Sequence, residues 1–415
     1  LKNTVGKNVA YLGLVQIANY LFPLITVPHI SRAIGVSRYG LVELALISVI
    51  YFTALVDYSF DVSGTRKMAR VRNRSGQVQL LFNSILFAKL LLFSIAAILF
   101  VVSLFIVPVF AAHKGLFAAA FLVNLSYIFY PNWFFQGREQ LGVIALANFG
   151  IKALFTLLVF VLVRDETDYY WVPLSNSLGY LLVASVVFWH AFKVMPDLRL
   201  TFPGWRPIWA VIKDGRDLFL SSVLNKLYAL SGMVIAGWFV DPRSLGYFGA
   251  ANKLYMVMLS MMFYPLHGAV FPHLNAKLRE SKQAFAAMFK KLGLLLFGVY
   301  GLGLALLYVL TPWIIQLLFG AEFEGSISLF RWLIPALFSG IFIHMFITQG
   351  LLTLRFDKWQ MRWMALFAVL AVVGNLVVAA LYGVQGIVVF KSGLDLLMAF
   401  SAGFLFFKAW RKYKR

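Results

Sequence analysis

Apolar runs of roughly twenty residues, the length a helix needs to cross a hydrocarbon core about 30 Å thick, recur along the whole 415-residue chain. They fall near 8–29, 38–60, 80–110, 115–133, 142–163 and 170–192. A second set lies near 218–240, 244–270, 292–311, 325–351, 361–382 and 386–408. A backbone in lipid has no water to bond to, so each run is expected to be a helix. The connections left over are too short for a water-soluble domain. Composition agrees: 61% of residues are hydrophobic and 13% charged, where a soluble domain has about 45–50% and 25%. The pattern predicts an all-α polytopic membrane protein of about twelve transmembrane helices. The first run is too long for a signal-peptide core and lacks a small-residue cleavage site, so it is expected to remain as a span.

The net charge of +21 is a topology signal before it is anything else. Of the 37 Lys and Arg, 26 fall on one side of the expected spans, in clusters such as Arg66 to Arg74, Lys277 to Lys291 and Lys408 to Arg415. Only Arg32, Arg38, Lys114, Arg164 and Arg243 fall on the other side. The positive-inside rule then places both termini in the cytoplasm, and the even span count agrees. The basic side is suited to anionic membrane lipids, and the same distribution argues against nucleic acid. The absence of cysteine excludes disulfides and thiol catalysis, and the six histidines show no metal-ligand spacing. No Walker-type glycine loop is present, no cofactor is expected, and the outer connections are too short to hold an enzyme's catalytic loop.

The connection 193–217 is the longest polar one and divides the spans into lobes 1–192 and 218–415, six spans each. The turn from Ser37 to Leu41 is echoed from Arg243 to Tyr247, with Gly40 and Gly246 separated by 206 positions. This pattern fits two parallel, pseudo-symmetric six-helix bundles, of the kind that transport by rocking.

Six cations lie inside spans: Lys89, Lys152, Lys226, Lys253, Arg331 and Lys391, against the acids Glu43, Asp57 and Asp395. A charge at the bilayer centre costs at least about 2.5–3.5 kcal/mol, so those that remain usually face a cavity. Lys89, Arg331 and Lys391 sit close enough to span ends to snorkel, whereas Lys152, Lys226 and Lys253 are too deep. Lys391 and Asp395 have the spacing of an intrahelical ion pair. A cavity so lined attracts an anion with several oxygens, such as a phosphate or pyrophosphate. Gln16, Asn19, Tyr20, Tyr51, Tyr58, Asn225, Tyr228, Tyr247 and Tyr255 are candidates for sugar contacts.

Three stretches carry a family resemblance: Pro23 to Gly35 running into Tyr39 and Gly40, Phe60 to Ala69, and Tyr130 to Glu139. In the third, Pro131 is expected to kink a helix end, Trp133 and Phe134 to join an interfacial belt, and Gly137 to permit a tight turn. With these motifs the chain resembles the polysaccharide-export flippases, the O-antigen or lipid-linked oligosaccharide branch of the MOP superfamily. The resemblance implies a MATE-like fold of two six-helix bundles forming a V-shaped central cavity in the bacterial inner membrane. It also implies a transporter moving undecaprenyl-pyrophosphate-linked oligosaccharide outward, alongside other polysaccharide-assembly proteins. Lys152, Lys226, Lys253 and Lys391 are the expected headgroup contacts, with Arg331 a further candidate and Arg32 at an outer gate. Asp61 and Arg66 suit an inner gate or loop structure, and Asp57 and Asp395 coupling to protons or sodium, with membrane potential as another driving force. A lipid II-type flippase and a cation-coupled multidrug exporter of the same superfamily are the alternatives.

Overall fold

A computed structural model describes residues 2–351, 353, 354 and 356–414, with side chains other than those of 2–12, 14–17, 20, 264–269, 271, 272, 357, 358 and 414. Gln16 and Tyr20, and the topology cations Lys2, Lys7, Arg355, Lys358, Lys414 and Arg415, therefore lie wholly or by their side chains outside the described residues. The described chain is helical throughout: α1 (Lys2–Asp57), α2 (Phe60–Val71), α3 (Ser75–Ile106), α4 (Pro108–Ala112), α5 (Lys114–Phe121), α6 (Val123–Phe129) and α7 (Asn132–Gly137). There follow α8 (Leu141–Leu162), α9 (Trp171–Val194), α10 (Trp205–Phe239), α11 (Pro242–Glu280), α12 (Lys282–Phe319), α13 (Gly325–Ile343) and α14 (Asp357–Lys414). Among the described residues, eight helical stretches are long and apolar enough to cross a membrane. Their outward faces are greasy, with Phe400 77% and Leu302 76% exposed, which only a lipid solvent tolerates on this scale.

Two of the longest helices are interrupted by a glycine. In α1, Gly35 takes φ 68° and ψ 173°, a conformation that needs the missing Cβ. On either side of it, His29 Nε2 is 2.9 Å from the Val163 carbonyl and Arg38 stacks on Tyr169 at 4.7 Å, so the break sits on the 163–169 connection. In α14, Gly383 takes φ 58° and ψ −146°. The chain folds back there: Trp363 Nε1 donates to Ser401 Oγ at 2.9 Å, and Lys408 lies 5.7 Å from the Trp359 ring.

Other expectations need correction. The expected span 115–133 corresponds to α5 and α6, which meet at Leu122 in helical φ/ψ and end at Phe129, before the extended Tyr130 and then Pro131; the short α4 precedes it after Pro108 stops α3. The expected span 38–60 ends earlier, at Asp57, where Tyr58 and Ser59 both adopt positive φ before α2. Trp133 and Phe134 are not interfacial. They are 2% and 0% exposed and pack around Phe82, because α7 tucks against α2. Gly137 also serves another purpose than a turn. A Cβ there would lie 2.5 Å from Met68 Cβ, so its role is close helix approach, while the left-handed residue beside it is Glu139 at φ 63°.

The contacts separate into two compact units, 1–226 and 227–415, with the boundary inside α10. In the first, α1 packs on α8 and α8 on α9. In the second, α13 packs on α14 and on α11. The π-helical segment His344–Leu351 continues α13. Aspartates cap two of the water-facing turns. Asp165 accepts from the Thr167 hydroxyl and N–H, and Asp241 from the Ser244 and Arg243 N–H groups. These bonds hold both carboxyls below their ordinary range.

Gly137→Ala should destabilise the protein by about 2 kcal/mol through overpacking, whereas Gly76→Ala, where a Cβ meets nothing within 4 Å, should be neutral or slightly stabilising; thermal unfolding in detergent separates the two. Asp241→Ala should cost about 1 kcal/mol. Because the folded carboxyl titrates lower than the unfolded one, that contribution is complete above the unfolded pKa near 3.9 and lost as pH falls through the folded value. Wild type and Asp241→Ala should therefore converge in melting temperature only under strongly acid conditions.

Candidate functional site: a charged cluster within each unit

In the first unit, polar groups converge where α1 gives way to α2. Lys89, at 2% exposure, projects from the middle of α3. Its ammonium donates to Asp57 Oδ1 at 3.2 Å and to the Tyr127 carbonyl at 3.1 Å. Asp61, one turn beyond Asp57, accepts from Asn132 Nδ2 at 3.2 Å and lies within electrostatic reach of both Asp57 and Lys89. The positive φ of Tyr58 and Ser59 redirects the chain between the two aspartates and keeps both within electrostatic reach of one another. A fully buried lysine needs a counter-charge and further acceptors, and the carbonyl at the frayed end of α6 provides one. Lys89 therefore does not snorkel, contrary to expectation. Its reach is taken up inward.

Around this cluster the start of α10 docks onto the α1–α2 corner. Tyr58 stacks on Phe219 with centroids 4.3 Å apart, and Lys67 pairs with Asp214 at 2.5 Å. Arg66 is exposed on α2 and Arg32 is exposed on α1. The two deep lysines of this unit have neutral partners. Lys152 is hydrogen-bonded to Asn19, and Lys226 donates to Ser222 Oγ at 2.8 Å, while the Lys226 carbonyl accepts from Tyr51 at 3.3 Å. Asn225 turns back to the Ser221 carbonyl at 2.7 Å.

In the second unit, Lys391 and Asp395 form the pair their spacing suggests, at 3.4 Å. Tyr228 and Tyr255 both donate to the Asp395 carboxylate. Their rings flank the ammonium, which lies 4.8 Å and 5.1 Å from the two centroids. The aromatic faces thereby screen a charge that lipid would penalise. A cavity of about 20 Å³ beside the pair is also lined by Asn252 and Asn375. Asn375 donates to Ser231 Oγ at 3.1 Å, while its buried Oδ1 finds no donor among the described residues. The space is about that of one water. Lys253, next to Asn252 on α11, is half-buried and engaged by a neighbouring group. Arg331 stands apart: its Nε donates to the Tyr308 carbonyl at 3.3 Å and its guanidinium lies over the Tyr308 ring at 4.7 Å. Tyr247 accepts from Arg243 Nε at 2.9 Å.

The structure thus pairs Asp57 with Lys89, with Asp61 nearby on Asn132, and pairs Lys391 with Asp395 between two tyrosines. Reading the sequence missed Lys89, Tyr127 and Asn132 as members of one cluster. The available signal was that Asp57 and Asp61 needed a cation, and Lys89 is buried in the adjacent helix. Lys89→Met should destabilise the protein by about 3 kcal/mol, since it strands Asp57 beside a buried apolar group, and Lys89→Met/Asp57→Asn should recover most of the loss. A double-mutant cycle on thermal unfolding measures this.

A profile of the family described as "Polysaccharide biosynthesis protein" matches residues 5–278. The chain is 24% identical over 294 residues to the protein named "Putative O-antigen transporter" in Escherichia coli (strain K12), covering 70% of this chain and 69% of that one. A namesake in Shigella dysenteriae is 24% identical over 273 residues, covering 65% and 67%. Among solved structures, an inward-facing multidrug resistance MATE family transporter of the MOP superfamily superposes with a TM-score of 0.74 at 14% identity, over 98% of this chain and 99% of that one. The lipid II flippase MurJ in an inward closed conformation gives 0.71 at 14% identity, over 96% and 89%. An all-helical, multi-pass membrane chain on the fold of MOP-superfamily transporters, this protein belongs to the polysaccharide biosynthesis protein family.

Proposed function

We propose that this chain is a flippase that moves a polyprenyl-pyrophosphate-linked oligosaccharide from the cytoplasmic to the periplasmic leaflet of a bacterial inner membrane. Family membership and the O-antigen transporters it resembles support the substrate class. The observation that carries the reading is the chemistry of Lys152 and Lys226. Both are half-buried in apolar helices, and both are held by neutral groups, Asn19 and Ser222. Neither is bonded to a carboxylate, although Asp57 acts on Lys226 from a distance, so both ammoniums can take an anion as a direct partner, unlike Lys89 and Lys391, which face carboxylates. In this reading Lys152 and Lys226 receive the pyrophosphate, with Lys253 as a further contact. The Lys391–Asp395 pair, with its tyrosines, offers sugar hydroxyls a ring face and a donor. Arg32 and Arg331 belong to the outer rim, and Asp61 and Arg66 to the inner one.

The chain is read as crossing the membrane twelve times in two lobes, with both termini cytoplasmic and access alternating between the two faces. Membrane potential is the driving force the charges favour. Moving about two negative charges outward at 100 mV gains about 4–5 kcal/mol, so a nucleotide is not required. Asp57 and Asp395 are the positions for proton or sodium coupling if it operates.

Headgroup translocation in proteoliposomes, with a fluorescent polyprenyl-pyrophosphate oligosaccharide, tests this. Lys152→Ala and Lys226→Ala should each lower the rate at least tenfold with little change in melting temperature, and an inside-negative potential should accelerate wild type. No translocation by wild type, or full activity in both variants, would refute the assignment. Faster movement of lipid II than of the oligosaccharide would reassign the substrate. Protection of cells against cationic dyes would instead make the chain a drug exporter.

A further inference from the structure

In the second unit, the end of α14 meets the start of α12 in an arrangement that headgroup transport leaves unused. Phe285 and Phe289 of α12, Phe346 of the π-helical segment, and Phe406 and Trp410 of α14 line an open groove of about 430 Å³. The walls are built from stacked rings: Phe289 lies 4.5 Å from Phe406, and Phe285 lies 5.2 Å from Trp410. The π-helical segment makes room for them by presenting Gly350 to Phe406, where a Cβ would stand 2.6 Å from the ring. Lys290 is the sole charged side chain among the described residues of this lining.

Phe407 is shared between this groove and a second cavity, of about 690 Å³, whose other walls are Trp359, Phe404, Lys408, Arg411 and Lys412. The three cations sit at i, i+3 and i+4 on one face of α14. Lys408 and Lys412 lie 5.7 Å and 6.0 Å from the Trp359 ring. Among the described residues no carboxylate pairs with any of the three. A greasy slot therefore runs into a basic, tryptophan-walled recess at a helix end, where a membrane meets water.

We propose that this is a binding site for one anionic phospholipid, with its phosphate held by Lys408, Arg411 and Lys412 beside Trp359 and an acyl chain lying in the aromatic groove. The charge of the recess selects the head, and the continuity at Phe407 selects a molecule with head and tail joined. A peptide is disfavoured as occupant, because the groove would leave its backbone groups without partners. A free phosphate would use the recess and leave the groove empty. The site differs from a generic lipid-facing helix surface in being concave and in ending on three cations that pair with no carboxylate among the described residues. Binding there ties the last turns of α14 to the first turns of α12, and so stabilises the folded chain by linkage.

The test uses the purified full chain in a non-ionic detergent, titrated with phosphatidylglycerol and read by native mass spectrometry and melting temperature. One phosphatidylglycerol should bind saturably and raise the melting temperature. Phosphatidylcholine should bind at least tenfold more weakly, and inorganic phosphate at the same concentration should give no shift. Lys408→Gln/Arg411→Gln/Lys412→Gln should weaken phosphatidylglycerol binding about a hundredfold while leaving the lipid-free melting temperature unchanged. Ala286→Trp, which fills the groove, should weaken it at least tenfold with all three cations intact. If that variant does not fold, Leu294→Trp at the rim of the same groove replaces it. Equal binding of phosphatidylcholine, full affinity in the triple variant, or a shift reproduced by inorganic phosphate would each overturn the proposal. None of these readouts depends on what the protein transports.

Discussion

A backbone polar group inside a bilayer has to find its partner within the protein, because lipid offers none. Helices meet that demand for the backbone, which is why the described chain contains almost nothing else. Where a helix stops or breaks, a specific residue meets the demand instead. Gly35 and Gly383 allow a reversal without a clash. The carbonyl left free at Tyr127 is taken up by Lys89. The Val163 carbonyl at the end of α8 meets His29. The same rule governs side chains: Ser84, Ser94, Ser185, Ser260 and Thr311 all bond back to carbonyls of their own helices.

Charges obey the rule at higher stakes. Among the described residues each unit has a largely buried lysine–aspartate pair, and the two are stabilised differently. Lys89 and Asp57 come from separate helices, with a backbone carbonyl as third partner, so the pair fixes how α1, α3 and α6 meet. Lys391 and Asp395 share one helix and are closed off by two tyrosines from α10 and α11. Lys152 and Lys226 follow neither pattern. A half-buried ammonium bonded directly to an amide or a hydroxyl rather than a carboxylate is the costlier arrangement.

The fold class was legible in the sequence because hydrophobic length is a local property. So was the Lys391–Asp395 pair, since a four-residue spacing on a helix fixes proximity. The Lys89–Asp57 pair was not legible: it joins residues 32 positions apart through a turn at Tyr58 and Ser59 that neither residue type favours. Trp133 and Phe134 were misjudged for a related reason. Aromatic residues beside a proline suit a membrane interface in general, but here Gly64 and Gly137 let α2 and α7 approach closely enough to bury them. Nothing local in the sequence announces that approach.

The sequence by itself determined that the chain lives in a bilayer, that it is helical, and that its cations outnumber its acids inside the membrane. These follow from composition and from periodicity along one segment at a time. Tertiary structure alone decided which of those cations meet a carboxylate and which are bonded to an amide or a hydroxyl, and where rings from three separate helical segments line a groove. The physical reason is common to both cases. Burial and pairing depend on side chains distant in sequence arriving within about 4 Å of each other, and that distance is set by packing between helices rather than by the pattern along any one of them.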